Sequence, residues 1–109
     1  MSITHSLQYG ILHLTIDRVE RRNALTAEMF ADLADELDQA IMQTAVRVVL
    51  LKSSGNVFSA GADLEEMFSA PEDLERETRR FFDSIAKFPK QLIAQVSGPC
   101  VGEAFAALL

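Results

Sequence analysis

The sequence holds one cysteine, Cys100, and no tryptophan. A single thiol cannot close an internal disulfide and fits a reducing compartment. No apolar run approaches the ~20 residues that a bilayer-crossing helix requires. The opening residues, Met1 to His5, lack the basic and apolar stretches of a signal peptide. Together these absences predict a cytoplasmic protein without a membrane span. Its two histidines, His5 and His13, have no Cys or His at ligand spacing, so no metal site is expected. Positive charge is also scarce: the net charge of −6 argues against general nucleic-acid binding, which draws on basic patches. Gly98 and Gly102 lack the Lys-Ser/Thr of a P-loop, and no Gly-x-Gly-x-x-Gly follows a strand. Ser59 lacks the Gly-x-Ser-x-Gly setting of a hydrolase nucleophile, and Cys100 reads as a packing residue without a local base.

What is present is a regular alternation of element types. Ile3–Gln8 and Ile11–Ile16 read as a hairpin turning at Tyr9-Gly10, with Leu12, Leu14 and Ile16 alternating against His13 and Thr15. Thr26 is an N-cap for a helix to about Gln43, whose buried stripe is Phe30, Leu33, Leu37 and Ile41. Asp32, Asp35 and Asp38 fall opposite, on a solvated face. The β-branched run from Val46 to Leu51 fits a central strand covered on both faces. Pro71 opens a helix to about Lys87 that buries Leu74, Phe81, Phe82, Ile85 and Phe88. Its charges pair four residues apart as Glu72–Arg76, Glu75–Arg79 and Asp83–Lys87. Gln91–Ser97 is a further strand, and Gly102–Leu109 an apolar helix. The order predicts one α/β domain with largely parallel pairing. The unrelieved apolar end, Ala104 to Leu109, needs cover; the expectation is the N-terminal part of a larger fold, or a chain that associates.

Two stretches carry possible chemistry. Residues 58–64, Phe-Ser-Ala-Gly-Ala-Asp-Leu, join a strand to a short helix at Asp63–Phe68. Their small side chains leave the backbone uncovered near a helix start, where free amide donors favour a carbonyl oxygen that is becoming negative. A tight turn that needs small residues for packing accounts for them equally well. Arg18-Val19-Glu20-Arg21-Arg22 is either a solvated loop or a landing place for a phosphate-bearing ligand.

Arg22-Asn23-Ala24-Leu25, Val46–Leu51, Phe58–Leu64, then Ile93–Gly98 with Val101-Gly102, taken in order, resemble the enoyl-CoA hydratase/isomerase (crotonase) family. The likeness covers essentially the whole chain and well under half of a typical family member. It implies a crotonase-like α/β fold with a ββα spiral core, here the N-terminal portion without the C-terminal helical region. It also implies that residues 1–109 are part of an acyl-CoA-binding domain. Family members hold a CoA thioester carbonyl between two backbone N–H groups while an enolate forms. By the resemblance these donors are Ala62 and Glu103. Arg22, Ala24, Ala60, Ala62, Asp63, Leu64 and Gly102 then form the CoA-binding surface, with Leu64–Phe68 beside the acyl pocket. No permanent cofactor is implied, only coenzyme A as part of the substrate, and the family's habit is a homo-oligomer of trimer type. Glu103 is read either as a first-turn acid or as a general acid/base. The first glutamate of the family's hydratases falls on Ala106. The chain is therefore either an enoyl-CoA hydratase or isomerase, or a non-catalytic module that binds acyl-CoA or assembles.

Overall fold

A computed structural model describes residues 2–96 and Gly98. Strand β1 (Ile3–Gln8) and strand β2 (Ile11–Ile16) form the expected hairpin, antiparallel with Ile3 opposite Ile16 and Gln8 opposite Ile11. Tyr9 and Gly10 both have positive φ, 52° and 81°, the turn whose twist matches that of the flanking strands. Helix α1 (Ala27–Met42) returns the chain to β3 (Val48–Ser53), which pairs parallel to β2. Helix α2 (Leu64–Ser69) and helix α3 (Pro71–Lys87) lead to β4 (Gln91–Ala94), parallel to β3. The sheet order is β1-β2-β3-β4. Thr26 caps α1 as expected, its side chain accepting from the Met29 N–H at 3.2 Å.

Helices α1 and α3 pack on each other and bury one face of the sheet. The core joins Leu12, Leu14 and Ile16 of β2 and Val49 and Leu51 of β3 to Phe30, Leu33 and Leu37 of α1 and Leu74 and Phe81 of α3. The Phe30 and Phe81 rings meet at 5.5 Å with a 51° tilt, a favoured aromatic geometry. Phe82, Ile85 and Phe88 pack at its edge, partly buried.

Several expectations are corrected. Ile41 is 38% exposed and Ala40 fully buried, so the α1 stripe steps back one residue in its last turn. Strand β3 starts at Val48 rather than Val46 and alternates, with Val49 and Leu51 buried and Val48 and Leu50 half-buried. Among the described residues its second face is therefore not covered like its first. Asp35 and Asp38 are exposed as expected, and there Arg80 of α3 bridges both while Ser84 Oγ donates to Asp38 at 3.2 Å. On α3, Glu75–Arg79 forms at 2.7 Å, whereas Arg76 takes Asp73 at 3.0 Å instead of Glu72. Beyond Ala94 the Gln95 N–H still reaches the Leu51 carbonyl at 2.8 Å. Ser97 and the helix expected over residues 102–109 lie outside the described residues.

The end of α1 is closed by a residue the sequence does not single out. Lys90 Nζ donates to the Ala40, Gln43 and Val46 carbonyls at 2.7, 2.7 and 2.8 Å. One ammonium thus satisfies all three of its donors on carbonyls at and just beyond the helix C-terminus. Lys90→Met should lower stability by about 1–3 kcal/mol; an unchanged urea midpoint would show that these bonds contribute nothing net.

Candidate functional site

Two loops leave the carboxyl ends of the parallel neighbours β2 and β3, the usual place for a site in such sheets. They are residues 17–26 and residues 54–63. The Ser54 N–H donates to the Ile16 carbonyl at 2.9 Å, which sets the two loop starts side by side.

Asn23 then joins the loops from the inside. It is buried and left-handed, with φ 57°, a region that Asn tolerates better than most residues. Its Nδ2 donates to the Ser54 and Val57 carbonyls at 2.8 and 2.7 Å, and its Oδ1 accepts from the Arg18 N–H at 2.8 Å. Ser59, fully buried, donates to the Asn23 carbonyl at 2.9 Å and accepts from the Gly61 N–H at 3.0 Å. Arg18 closes the other side. Its guanidinium donates to the Ala24 carbonyl at 3.0 Å and to the Asp63 carboxylate at 2.7 Å. Only two of the three arginines of the basic cluster therefore remain at the surface.

The backbone of residues 60–63 is paired almost completely. The Ala60 N–H donates to the Arg22 carbonyl at 3.0 Å. Leu25 donates to the Gly61 carbonyl and accepts from the Asp63 N–H, both at 2.8 Å, a one-rung parallel bridge opposite Ala62. In such a bridge the residue between the two bonds turns its own amide away. The Ala62 N–H accordingly has no partner among the described residues.

Beside this amide lies the start of helix α2. Asp63 is the N-cap of α2, and its carboxylate accepts from the Glu66 N–H at 3.0 Å. The protein's own anion thus caps the start of α2, one residue after Ala62. The hydrogen bond from Arg18 holds the Asp63 carboxyl below its ordinary value, with the α2 amides assisting against burial.

Ala62 borders two concavities. One, about 250 Å³, is lined by Arg21, Arg22, Ala24, Ala60, Asp63, Leu64 and Glu65 as well as Ala62. All six expected ligand-surface residues between Arg22 and Leu64 thus meet in one place. The other, about 470 Å³, is lined mainly by apolar groups, among them Met67, Leu74 and Phe82, with Thr78, Glu75 and Arg79 at its side. Gly98 packs against the same loop; a Cβ added to it would collide with the Asn56 carbonyl. Gly102 and Glu103 lie outside the described residues.

Residues 6–107 match the sequence profile described as enoyl-CoA hydratase/isomerase. The chain belongs to the enoyl-CoA hydratase/isomerase family. It is 34% identical over 108 residues to 1,2-epoxyphenylacetyl-CoA isomerase of Escherichia coli, covering 92% of this chain and 41% of that protein. It is 37% identical over 101 residues to 2,3-dehydroadipyl-CoA hydratase of the same organism, covering 89% and 39%. Among solved structures, Pseudomonas aeruginosa OdaA matches with a TM-score of 0.88 at 36% identity, over 94% of this chain and 42% of that one. The expected crotonase-like α/β fold is therefore present, and the chain spans about two-fifths of the length of these relatives. Among the described residues no helix is long and apolar enough to cross a membrane, and no group of His, Cys, Asp or Glu could hold a metal ion.

The Arg18–Asp63 pair gives this family member a pH signature. A depressed folded value means that the pair's contribution is present above the ordinary carboxylate value and is lost as pH falls through the folded one. The stability advantage over Asp63→Asn should therefore be full at about pH 6 and shrink below about pH 4. Urea unfolding of both proteins across that range checks it; a pH-independent difference contradicts the assignment.

Proposed function

We propose that the chain binds a CoA thioester and polarises its carbonyl with the Ala62 N–H, stabilising the oxyanion of an enolate. The observation that carries this reading is the Ala62 N–H, the one amide of residues 60–63 with no partner among the described residues, placed where the two concavities meet. The concavity at Arg21 and Arg22 takes the phosphate-bearing end of CoA, since guanidinium groups match phosphate oxygens. The apolar one, with Met67, Leu74 and Phe82, takes the acyl chain. A thioester spanning both brings its carbonyl to Ala62. Residues 1–109 are accordingly the acyl-CoA-binding part of a crotonase-like fold. The second donor of this reading is the Glu103 N–H.

The chemistry follows from charge. As a proton leaves the carbon next to the carbonyl, or a nucleophile adds to the conjugated double bond, negative charge moves onto the thioester oxygen. A fixed amide aimed there stabilises that charge more than it stabilises the neutral substrate, and such differential binding lowers a barrier. Hydration and double-bond isomerisation both pass through this enolate. A second reading, binding without catalysis, is favoured by one observation: Ala106 stands where the family's hydratases carry their first glutamate. An oxyanion site without a proton-transfer group binds the thioester and turns it over slowly.

Titration with crotonyl-CoA, following both binding and loss of the conjugated double bond, separates the two. Binding with turnover supports the enzyme, and binding without it the module. A folded protein that binds no crotonyl-CoA overturns both. In Ala62→Pro the donor is gone: turnover should drop about 10²–10³-fold, with free-CoA affinity retained. Unchanged turnover by Ala62→Pro would rule out the oxyanion assignment.

A further inference from the structure

Ser59 is a fully buried polar side chain that the proposed chemistry leaves without a task. Its hydroxyl is directed at the Asn23 carbonyl, and among the described residues no base lies within hydrogen-bond reach, so nothing activates it as a nucleophile. The directions of its two bonds are fixed by chemistry. A carbonyl only accepts, so the single hydroxyl hydrogen goes to Asn23, and the Gly61 N–H must donate to the oxygen lone pair. Gly61 is itself buried and has φ 89°. Its amide has no water to turn to if the hydroxyl is removed, and an unpaired buried N–H is strongly disfavoured. Glycine at positive φ is also the residue most free to rotate its flanking peptides. The peptide that follows carries the Ala62 N–H.

We infer that Ser59 is a positioning residue: its hydroxyl fixes the Ala60–Gly61 peptide and so completes the hold that Leu25 has on the next one, whose N–H, that of Ala62, faces the ligand. The inference rests on the oxyanion reading above. Removing the hydroxyl frees the Ala60–Gly61 peptide, so that the next one is held by Leu25 alone, through the Gly61 carbonyl and the Asp63 N–H, and the Ala62 N–H drifts out of line with the thioester carbonyl. The CoA end meets the side chains of Arg21 and Arg22, neither of which Ser59 bonds.

The test uses crotonyl-CoA labelled with ¹³C at the thioester carbonyl, and reads the bound C=O stretch by infrared difference spectroscopy. Unsubstituted protein should lower the stretch relative to free crotonyl-CoA. Ser59→Ala should return it toward the free value, with unchanged affinity for free CoA and a kcat reduced about tenfold at similar KM. An equally lowered stretch in Ser59→Ala overturns this inference alone and leaves the oxyanion reading standing. No lowering in the unsubstituted protein overturns the oxyanion reading and this inference with it. If Ser59→Ala does not fold, amide-proton temperature coefficients of the unsubstituted protein decide. Gly61 should behave as a bonded amide and Ala62 as a free one, and the reverse pattern contradicts the assignment.

Discussion

Everything at this site depends on one buried side-chain amide. Asn23 donates twice to the loop that follows β3 and accepts once from the loop that follows β2. All of its polar atoms are satisfied within the protein, in a buried place where a half-satisfied amide would be strongly unfavourable. The geometry requires left-handed backbone at both Arg22 and Asn23, with φ 54° and 57°. Such a conformation persists only where the surroundings over-determine it. The return is a fixed distance between two loops that the sheet alone would leave independent.

The sheet supplies the rough alignment and the loops refine it. Parallel pairing of β2 with β3 brings Ile16 opposite Ser53, so both chains leave the same edge at the same height. Asn23 and Ser59 bond the loops internally, Arg18 and Asp63 join them near the surface, and Leu25 pairs them through the backbone. Helix α2 is tied in as well, because Glu66 accepts from the Ala27 N–H at the start of α1 at 2.7 Å. Ala62 is thus held by partners on both sides while its own amide stays unbonded among the described residues. A donor with no competing partner and little freedom to move is well suited to oxyanion stabilisation, since it need not reorganise as charge develops.

Much of the scaffold was legible in the sequence because its signals are periodic. Leu12, Leu14 and Ile16 alternate, Phe30, Leu33 and Leu37 recur at helical spacing, and Thr26 and Pro71 mark starts; the structure follows each. The stripe failed only where a smaller residue, Ala40, sits nearer the core than the larger Ile41. The site was half legible. Small residues at 60–62 pointed to an uncovered backbone, and the resemblance selected Ala62. Which amide stays unpaired depends on the bridge from Leu25, a contact between distant segments that leaves no mark in composition. Arg18 looks like Arg21 and Arg22 in sequence, yet its partner Asp63 is 45 residues away and draws it inward. Asn23 and Ser59 read as ordinary turn residues, because nothing local in a polar loop announces burial.

The claim at the centre is that the Ala62 N–H meets the thioester oxygen. Amide chemical shifts of ¹⁵N-labelled protein, titrated with crotonyl-CoA and separately with free CoA, test it most directly. The account predicts a downfield shift of the Ala62 amide proton with crotonyl-CoA and little change there with CoA alone. Shifts around Arg22 and Ala60 with both ligands, and none at Ala62 with either, would contradict it.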